Sequence, residues 1–481
     1  MSVNSKQIVK NTYYFTLANI FQKIIAFFYF AYISKLIGPD NLGKYTYALS
    51  FTTMFAILVD IGFEKMLIRE CAKNKDNAQE YFSNILGIKI PLSLLTLATI
   101  FIITYFQSYP LVTKHLIYLS AFLMCLDSFN LTIECVLRGF HNLKYESLSV
   151  ILCQFSTLII GIGGILLFKD IKILIIALIA GSLTRFSIDL FSLIKTYNIY
   201  PKIKYNNDVI RKLIKITIPF TLAGIFLKIY SYADAVLLYN FKNDQALGFY
   251  SLPYRATNAF QFIPMAFTAA IFPALSYFYA NSRDIVKKIY EELIVYLVMI
   301  SIPVSFGIIA LAKEIILKFF GNAYLPSVLA LQILMCNLTF LFLDIPTGSL
   351  LNACDREKIN TSMMGIAMTL NIISNFILIP KLSYIGASIS MIVSSLFLVI
   401  SKIYYAHKHI KFNFLKIMKG LLKAFIAGAA MFLAVIYFKY RINFYFVILS
   451  GAVIYAVALF LLGGIRKKDF TMIAEAMRHK V

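Results

Sequence analysis

The side chains of this 481-residue chain best placed to do chemistry are ionisable groups set inside long apolar stretches. The basic ones are Lys23, Lys89, Arg185, Lys228 and Arg255, and the acidic ones are Asp60, Asp127, Glu134, Asp189, Asp234 and Asp344. In an apolar medium, a cation of this kind can hold an anionic ligand and a carboxylate can carry a proton or a small cation. Lys23 and Lys228 stand out because each sits near the middle of its stretch, roughly 20 Å from its start at about 1.5 Å per residue. Neither has a carboxylate one helical turn away: Asn19 and Phe27 flank Lys23, and Gly224 and Tyr232 flank Lys228. We expect both to line one central, positively charged cavity; the alternative is that each snorkels or pairs within its own half of the molecule.

The other groups divide by depth. Lys89 lies only a few residues inside its stretch, so it either reaches the interface or joins the cavity. Arg185 and Asp189, four apart on one helix face, form an expected pair, with Arg185 the deeper candidate for the cavity. Asp60, Glu134 and Asp344 lie towards stretch ends and read as interfacial, Asp60 remaining a gating candidate. Asp234 and Arg255 occupy the outer halves of neighbouring stretches, where they pair or Arg255 lines the external mouth. Asp127, mid-stretch beside Ser128 and Asn130, is the expected proton or cation relay.

Other chemistries find little support. The six cysteines form no CxxC pair, and Cys71, Cys125, Cys135, Cys153, Cys336 and Cys354 read as small buried hydrophobes. His407 and His409 form a close pair with no third ligand in reach, which reads as a solvated helix end rather than a metal site. The acidic residues are scattered and the connections short, so neither a catalytic residue set nor a bound cofactor is expected.

The elements that carry these groups follow from composition. Hydrophobic residues make up 60% of the chain and charged ones 14%, against about 45–50% and 25% in soluble domains. Fourteen stretches approach the roughly 20 apolar residues of a membrane helix: 11–34, 43–63, 85–107, 116–137, 147–168, 171–194, 213–240, 250–280, 291–312, 327–351, 360–379, 385–405, 417–438 and 443–465. Strands of alternating polarity are absent, which excludes a membrane barrel. The first stretch has spanning length after a polar start, so it is expected to stay in the membrane rather than act as a cleaved signal. With the N-terminus inside, and with charges near a stretch end, such as Lys402, counted with the connection beside them, cytoplasmic connections hold 30 Lys and Arg and external ones 11, the other five lying deeper within spans. That bias predicts both termini inside and accounts for most of the +23 charge, so nucleic acid loses its main support as a partner. Residues 64–84 mix apolar and charged residues at helical spacing, either as a helix on the inner leaflet or as a charged linker.

An internal repeat links the two mid-span lysines. FTLANIFQKI at 15–24 matches FTLAGIFLKI at 220–229 in eight of ten positions at an offset of 205. The same offset carries Leu42, Gly43 and Tyr45 onto Leu247, Gly248 and Tyr250. Six spans separate the copies, an even number, so both cross in the same direction, as parallel repeats do. The expected fold is an all-α membrane protein with two pseudo-symmetric six-helix lobes, residues 1–200 and 201–410, then two further helices in 411–481.

The motifs RGFHNLKY (138–145), SYADAVLLYNFKNDQALGFYSLPYRA (231–256), LLNACDREK (350–358) and NIISNFILIPKLSYIGASIS (371–390) complete the pattern. Together with the LIGPDNLGKYTYA connection at 36–48, they resemble the polysaccharide-repeat (O-antigen, Wzx-type) flippases of the multidrug/oligosaccharidyl-lipid/polysaccharide exporter superfamily. The resemblance implies two bundles alternating between inward and outward opening in the bacterial cytoplasmic membrane. It implies as substrate an undecaprenyl pyrophosphate carrying a few sugars, which mid-membrane lysines suit as point-charge donors. Polysaccharide polymerases are implied partners, and a proton, sodium or membrane-potential gradient the implied drive. The chain differs from the peptidoglycan-precursor branch in having lysine where arginines cluster in the first spans. A drug or metabolite antiporter of the sister branch is the alternative, although a positive cavity repels cationic drugs. A membrane glycosyltransferase or polymerase, which needs a large loop or a catalytic domain, is disfavoured.

Overall fold

A backbone crossing lipid must satisfy its own N–H and C=O groups, so apolar stretches of this length fold as helices. The computed structural model describes residues 5–140 and 143–464. Its helices are α1 Ser5–Asp60, α2 Phe63–Lys73, α3 Ala78–Phe106, α4 Leu111–Gly139, α5 Lys144–Phe168, α6 Lys172–Tyr197, α7 Asn207–Phe241, α8 Asp244–Ala259, α9 Phe262–Asn281, α10 Arg283–Ala310, α11 Ala312–Ile315, α12 Ser327–Ala353, α13 Glu357–Ile410, α14 Phe414–Phe438 and α15 Phe444–Leu461. Among the described residues, twelve helical segments are long and apolar enough to cross a membrane.

Two of the twelve are double. Leu17–Asp60 has 44 residues and Glu357–Ile410 has 54, about twice what one crossing needs. Each contains one non-helical residue, Gly38 (φ 76°) in α1 and Ser383 (φ 53°) in α13. Gly38 adopts this conformation without a Cβ clash, and Pro39 after it brings no N–H to continue the ladder. Split at these points, the described residues hold fourteen helical segments long enough to cross a membrane, the number expected. The 250–280 stretch is itself broken, α8 ending at Ala259 and α9 starting at Phe262.

The chain forms two compact units, Met1–Ser251 and Leu252–Val481. In the first, α4 packs on α1 and α6, α5 on α1 and α6, and α7 on α1. In the second, α12 packs on α9, α10 and α13, while α14 lies on α10 and α15. Ala427, Met431 and Val435 of α14 meet Val447, Tyr455 and Leu459 of α15 in a small core that also takes in Ala310 and Leu311 at the end of α10.

Residues 64–84 depart from both expectations for them. Phe63, Met66, Leu67 and Cys71 of α2 are buried against Tyr81, Phe82 and Ile85 of α3 and Val136 and Leu137 of α4. The apolar face of α2 is spent on the protein core, and α3 begins seven residues before the predicted span. Burial, with a smaller contribution from the Glu70 charge, pushes the Cys71 thiol up to about 12. Cys125, Cys135 and Cys354 are also buried, but Cys153 is only half-buried and Cys336 is exposed on α12, which corrects the uniform reading of the cysteines. His407 and His409 fall in the last turn of α13, with His407 exposed.

Candidate functional site

The ionisable groups of the first unit gather into three adjoining clusters. In the first, Lys89 of α3 is 1% exposed and donates to Asp60 Oδ1 (2.9 Å), the Ser128 carbonyl (2.6 Å) and Thr132 Oγ1 (2.7 Å). Three donors meet three acceptors, so the buried ammonium is fully satisfied. Ser128 donates its hydroxyl to the same Asp60 oxygen. A void of about 10 Å³ beside them, lined in part by Asp60, Glu64, Lys89 and Thr132, holds one water at most. Lys89 therefore neither snorkels nor offers a spare donor to a ligand here. Asp60, read as interfacial, is its counter-ion.

The second cluster joins four helices. Arg138, at the end of α4, grips Glu146 of α5 by donating from Nε to Oε2 (3.2 Å) and from Nη2 to Oε1 (2.6 Å), a forked geometry that suits guanidinium and carboxylate. The same guanidinium lies 3.3 Å from Glu134 of α4 and 3.5 Å from Glu64 of α2. Arg185 of α6 pairs with the other oxygen of Glu134. The expected intrahelical partner Asp189 is not the one Arg185 takes, because α4 and α6 pack closely enough for the cross-helix contact. Asp189 is fully buried beside Ser149. Glu134, also read as interfacial, is 1% exposed and bridges two arginines.

In the third cluster, Ser182 of α6 donates to Asp127, and the Asn130 amide donates to the Ser182 hydroxyl (2.8 Å) and carbonyl (3.0 Å). The charges acting on Asp127 include Arg185, Asp60 and Lys228. Asp127, Arg185, Asp60 with Lys89, and Lys228 thus share one electrostatic neighbourhood. Lys228 is half-buried on α7, its ammonium 5.9 Å from the centre of the Tyr232 ring. Lys23 is exposed on the first span of α1, next to Gln22, which reaches Gln154 of α5 (3.3 Å). Among the described residues, no carboxylate lies within ion-pair distance of Lys23 or Lys228. Asp234 accepts a hydrogen bond from Tyr250 (2.6 Å). Arg255 is exposed on α8.

In the second unit Lys402 of α13 pairs with Asp344 of α12 at 2.7 Å. Both assignments from the sequence need correction, since Lys402 was counted in a cytoplasmic connection and Asp344 placed at an interface. Lys402 is 5% exposed and also lies beside Gly348 and Asn360. Arg138 and Glu146 were missed as a pair for the same reason: both stood in or next to a connection. The signal was nevertheless present, since Glu134 stands one helical turn before Arg138, which opens the RGFHNLKY motif, and Glu146 directly follows that motif. Among the described residues no group of three or more His, Cys, Asp or Glu side chains could hold a metal ion.

Known proteins resemble this chain in sequence and in fold. The chain is 23% identical over 426 residues to the capsular polysaccharide biosynthesis protein CapF of Staphylococcus aureus, covering 84% of this chain and all of that one. It is 24% identical over 396 residues to a probable low-salt glycan biosynthesis flippase of Haloferax volcanii, covering 81% of each. Among solved structures, the lipid II flippase MurJ in an inward closed conformation superposes with a TM-score of 0.77 at 16% identity, over 95% of this chain and 99% of that one. The family model described as polysaccharide biosynthesis protein matches residues 8–279, and the chain belongs to that family.

Proposed function

We propose that this protein is a flippase that carries a lipid-linked oligosaccharide, built on undecaprenyl pyrophosphate, from the inner to the outer face of a bacterial cytoplasmic membrane. The observation that carries the reading is Lys228: a mid-span ammonium, half-buried, with no carboxylate in ion-pair reach among the described residues. Such a charge costs several kcal/mol in lipid unless water or an anion satisfies it, and a pyrophosphate is a dense anion. Lys23, its mate at the offset of 205, is the second headgroup contact in this reading, with Arg255 and Arg185 as further cations along the path. Lys89 contributes by holding Asp60 rather than by touching substrate.

The six-helix lobes 1–200 and 201–410 rock against each other about the bound headgroup, and 411–481 follows as an appended pair. Both termini face the cytoplasm. Movement is coupled to a proton, sodium or potential gradient, with Asp127 as the relay and Asp60 and Asp234 as gating carboxylates. A polymerase consumes the delivered lipid outside. No bond change in the substrate is required.

The test is restoration of surface polysaccharide in cells lacking the gene. Lys23→Ala and Lys228→Ala should each abolish it at normal expression, and Arg at either position should restore part, because charge is kept though shape is not. A double alanine variant that builds normal polysaccharide would overturn the headgroup assignment.

A further inference from the structure

The offset of 205 that relates the two repeats also relates two contacts in the first unit. A Cβ built on Gly43 would lie 1.7 Å from the carbonyl oxygen of Asp244, and one on Gly248 would lie 1.9 Å from the carbonyl oxygen of Pro39. Gly43 maps onto Gly248 and Pro39 onto Asp244, so each contact is the image of the other. The first turns of α8 and of the second span of α1 therefore touch backbone to backbone, twice, about a local two-fold. No side chain larger than hydrogen fits at either glycine without a backbone shift.

The surroundings are closed. Leu42, Tyr45, Leu247 and Tyr250 are at most 2% exposed. Tyr47, one turn beyond Gly43, stacks on Tyr239 of α7 at 3.7 Å between ring centres, and its hydroxyl meets that of Tyr109 at 2.6 Å. Lys44 binds Asp40 (2.6 Å) and lies 3.8 Å from Asp244, so one ammonium ties the two repeats. All of this lies a full span from the start of α1, which is the outer end under the topology proposed above.

We infer that Gly43 and Gly248 form the outer seal of the translocation path, a dry backbone contact that must part each time substrate leaves. The inference rests on the transport reading. A side chain at either glycine destabilises only the state in which the two turns touch, so it shifts the population towards the outward-open state. The reciprocal geometry requires the two glycines to respond alike.

Ser50, seven residues after Gly43 on the same helix face and 5% exposed, reports the seal. A Ser50→Cys protein in intact cells, treated from outside with a membrane-impermeant maleimide, should label slowly. Adding Gly43→Ala or Gly248→Ala should raise the rate about tenfold, equally for both, with loss of flipping. Gly181→Ala is the control: its Cβ would lie 2.2 Å from Thr157 Oγ1, within the α5–α6 packing. It should lower stability without raising the labelling rate. Labelling at the parent rate in both glycine variants, or equally fast labelling in Gly181→Ala, overturns the inference. An independent arm leaves the glycines intact. A bis-methanethiosulfonate cross-linker, which forms a disulfide to each of Asp40→Cys and Asp244→Cys as sulfinate leaves, should block both Ser50→Cys labelling and flipping until reduced; continued flipping by the cross-linked protein overturns the inference. Labelling needs no substrate, so a seal that opens normally in a protein that moves no lipid-linked sugar would refute the flippase reading alone.

Discussion

Both units bury many amides and hydroxyls, but the first also buries the charged side chains Lys89, Glu134, Glu146, Asp189 and Asp234, against Glu291 and Lys402 in the second. Lys89, Glu134, Glu146 and Asp189 are all at most 1% exposed in the first. The neutral polar groups buried deep in the second include Ser301, Ser327, Asn337, Thr347, Asn371, Asn375, Ser388, Ser390 and Ser394, and its buried Lys402 pairs with the half-buried Asp344. There Asn375 donates to Asn371 Oδ1 (3.1 Å), and Tyr290 meets Thr347 (2.9 Å). The two units thus differ in what they can lose. A buried charge depends on its partner, because removing one member strands the other in low dielectric. A neutral hydrogen-bonded pair risks only its modest net contribution.

The largest effect should follow from stranding a charge in the first unit. Lys89→Met leaves Asp60 without its counter-ion and should destabilise by about 3–5 kcal/mol, read as a fall in detergent-solubilised melting temperature. The added change Asp60→Asn should recover part of that loss. If Lys89→Met melts like the parent, the charged character of the first unit carries no structural weight. Glu134→Gln comes next: it removes the carboxylate shared by Arg138 and Arg185 and should cost about 2–4 kcal/mol, with weakened α4–α6 contact seen as faster hydrogen exchange in both helices. In the second unit Asn371→Leu should cost about 1 kcal/mol or less in the same melting assay, a contrast that sharpens the comparison. A loss as large as that of Lys89→Met would erase it.

The smallest effect is at a connection. Slight burial opposes ionisation of Asp170, but hydrogen bonds from the Lys172 amide (2.9 Å) and its ammonium (3.0 Å) hold the carboxyl below its usual range. A lowered folded value contributes stability above the ordinary carboxylate value near 3.9, lost as pH falls through the lowered one. Because the group is exposed, Asp170→Asn should lower the melting temperature by at most about 2 °C at neutral pH, with the difference vanishing in acid.

Which of these groups could be read in advance depended on how local the signal was. Lys23, Lys228 and Asp127 stand out by depth alone, since a charge in the middle of an apolar run is visible in one dimension. Arg138, Glu146 and Lys402 were hidden in or beside connections, because span edges from hydropathy are uncertain by several residues, here the decisive ones. Arg185 misled more subtly: Asp189 one turn away satisfied the spacing rule, yet Glu134 on a neighbouring helix was the partner. The apolar face of α2 was equally legible, but a hydrophobic stripe does not say whether lipid or protein will cover it.

The sequence by itself determined the crossings, the parallel repeat at an offset of 205 and the rarity of charge within the apolar stretches. These are properties of runs and spacings along one chain, and insertion into lipid reads them segment by segment. Only the tertiary structure decided that Lys89 belongs to Asp60, that Glu134 bridges two arginines, and that Gly43 and Gly248 meet each other's repeat through backbone carbonyls. Such pairings depend on how each helix is rotated and how closely its neighbours approach. In a membrane, packing fit and hydrogen bonding set that approach, and hydropathy carries no record of either.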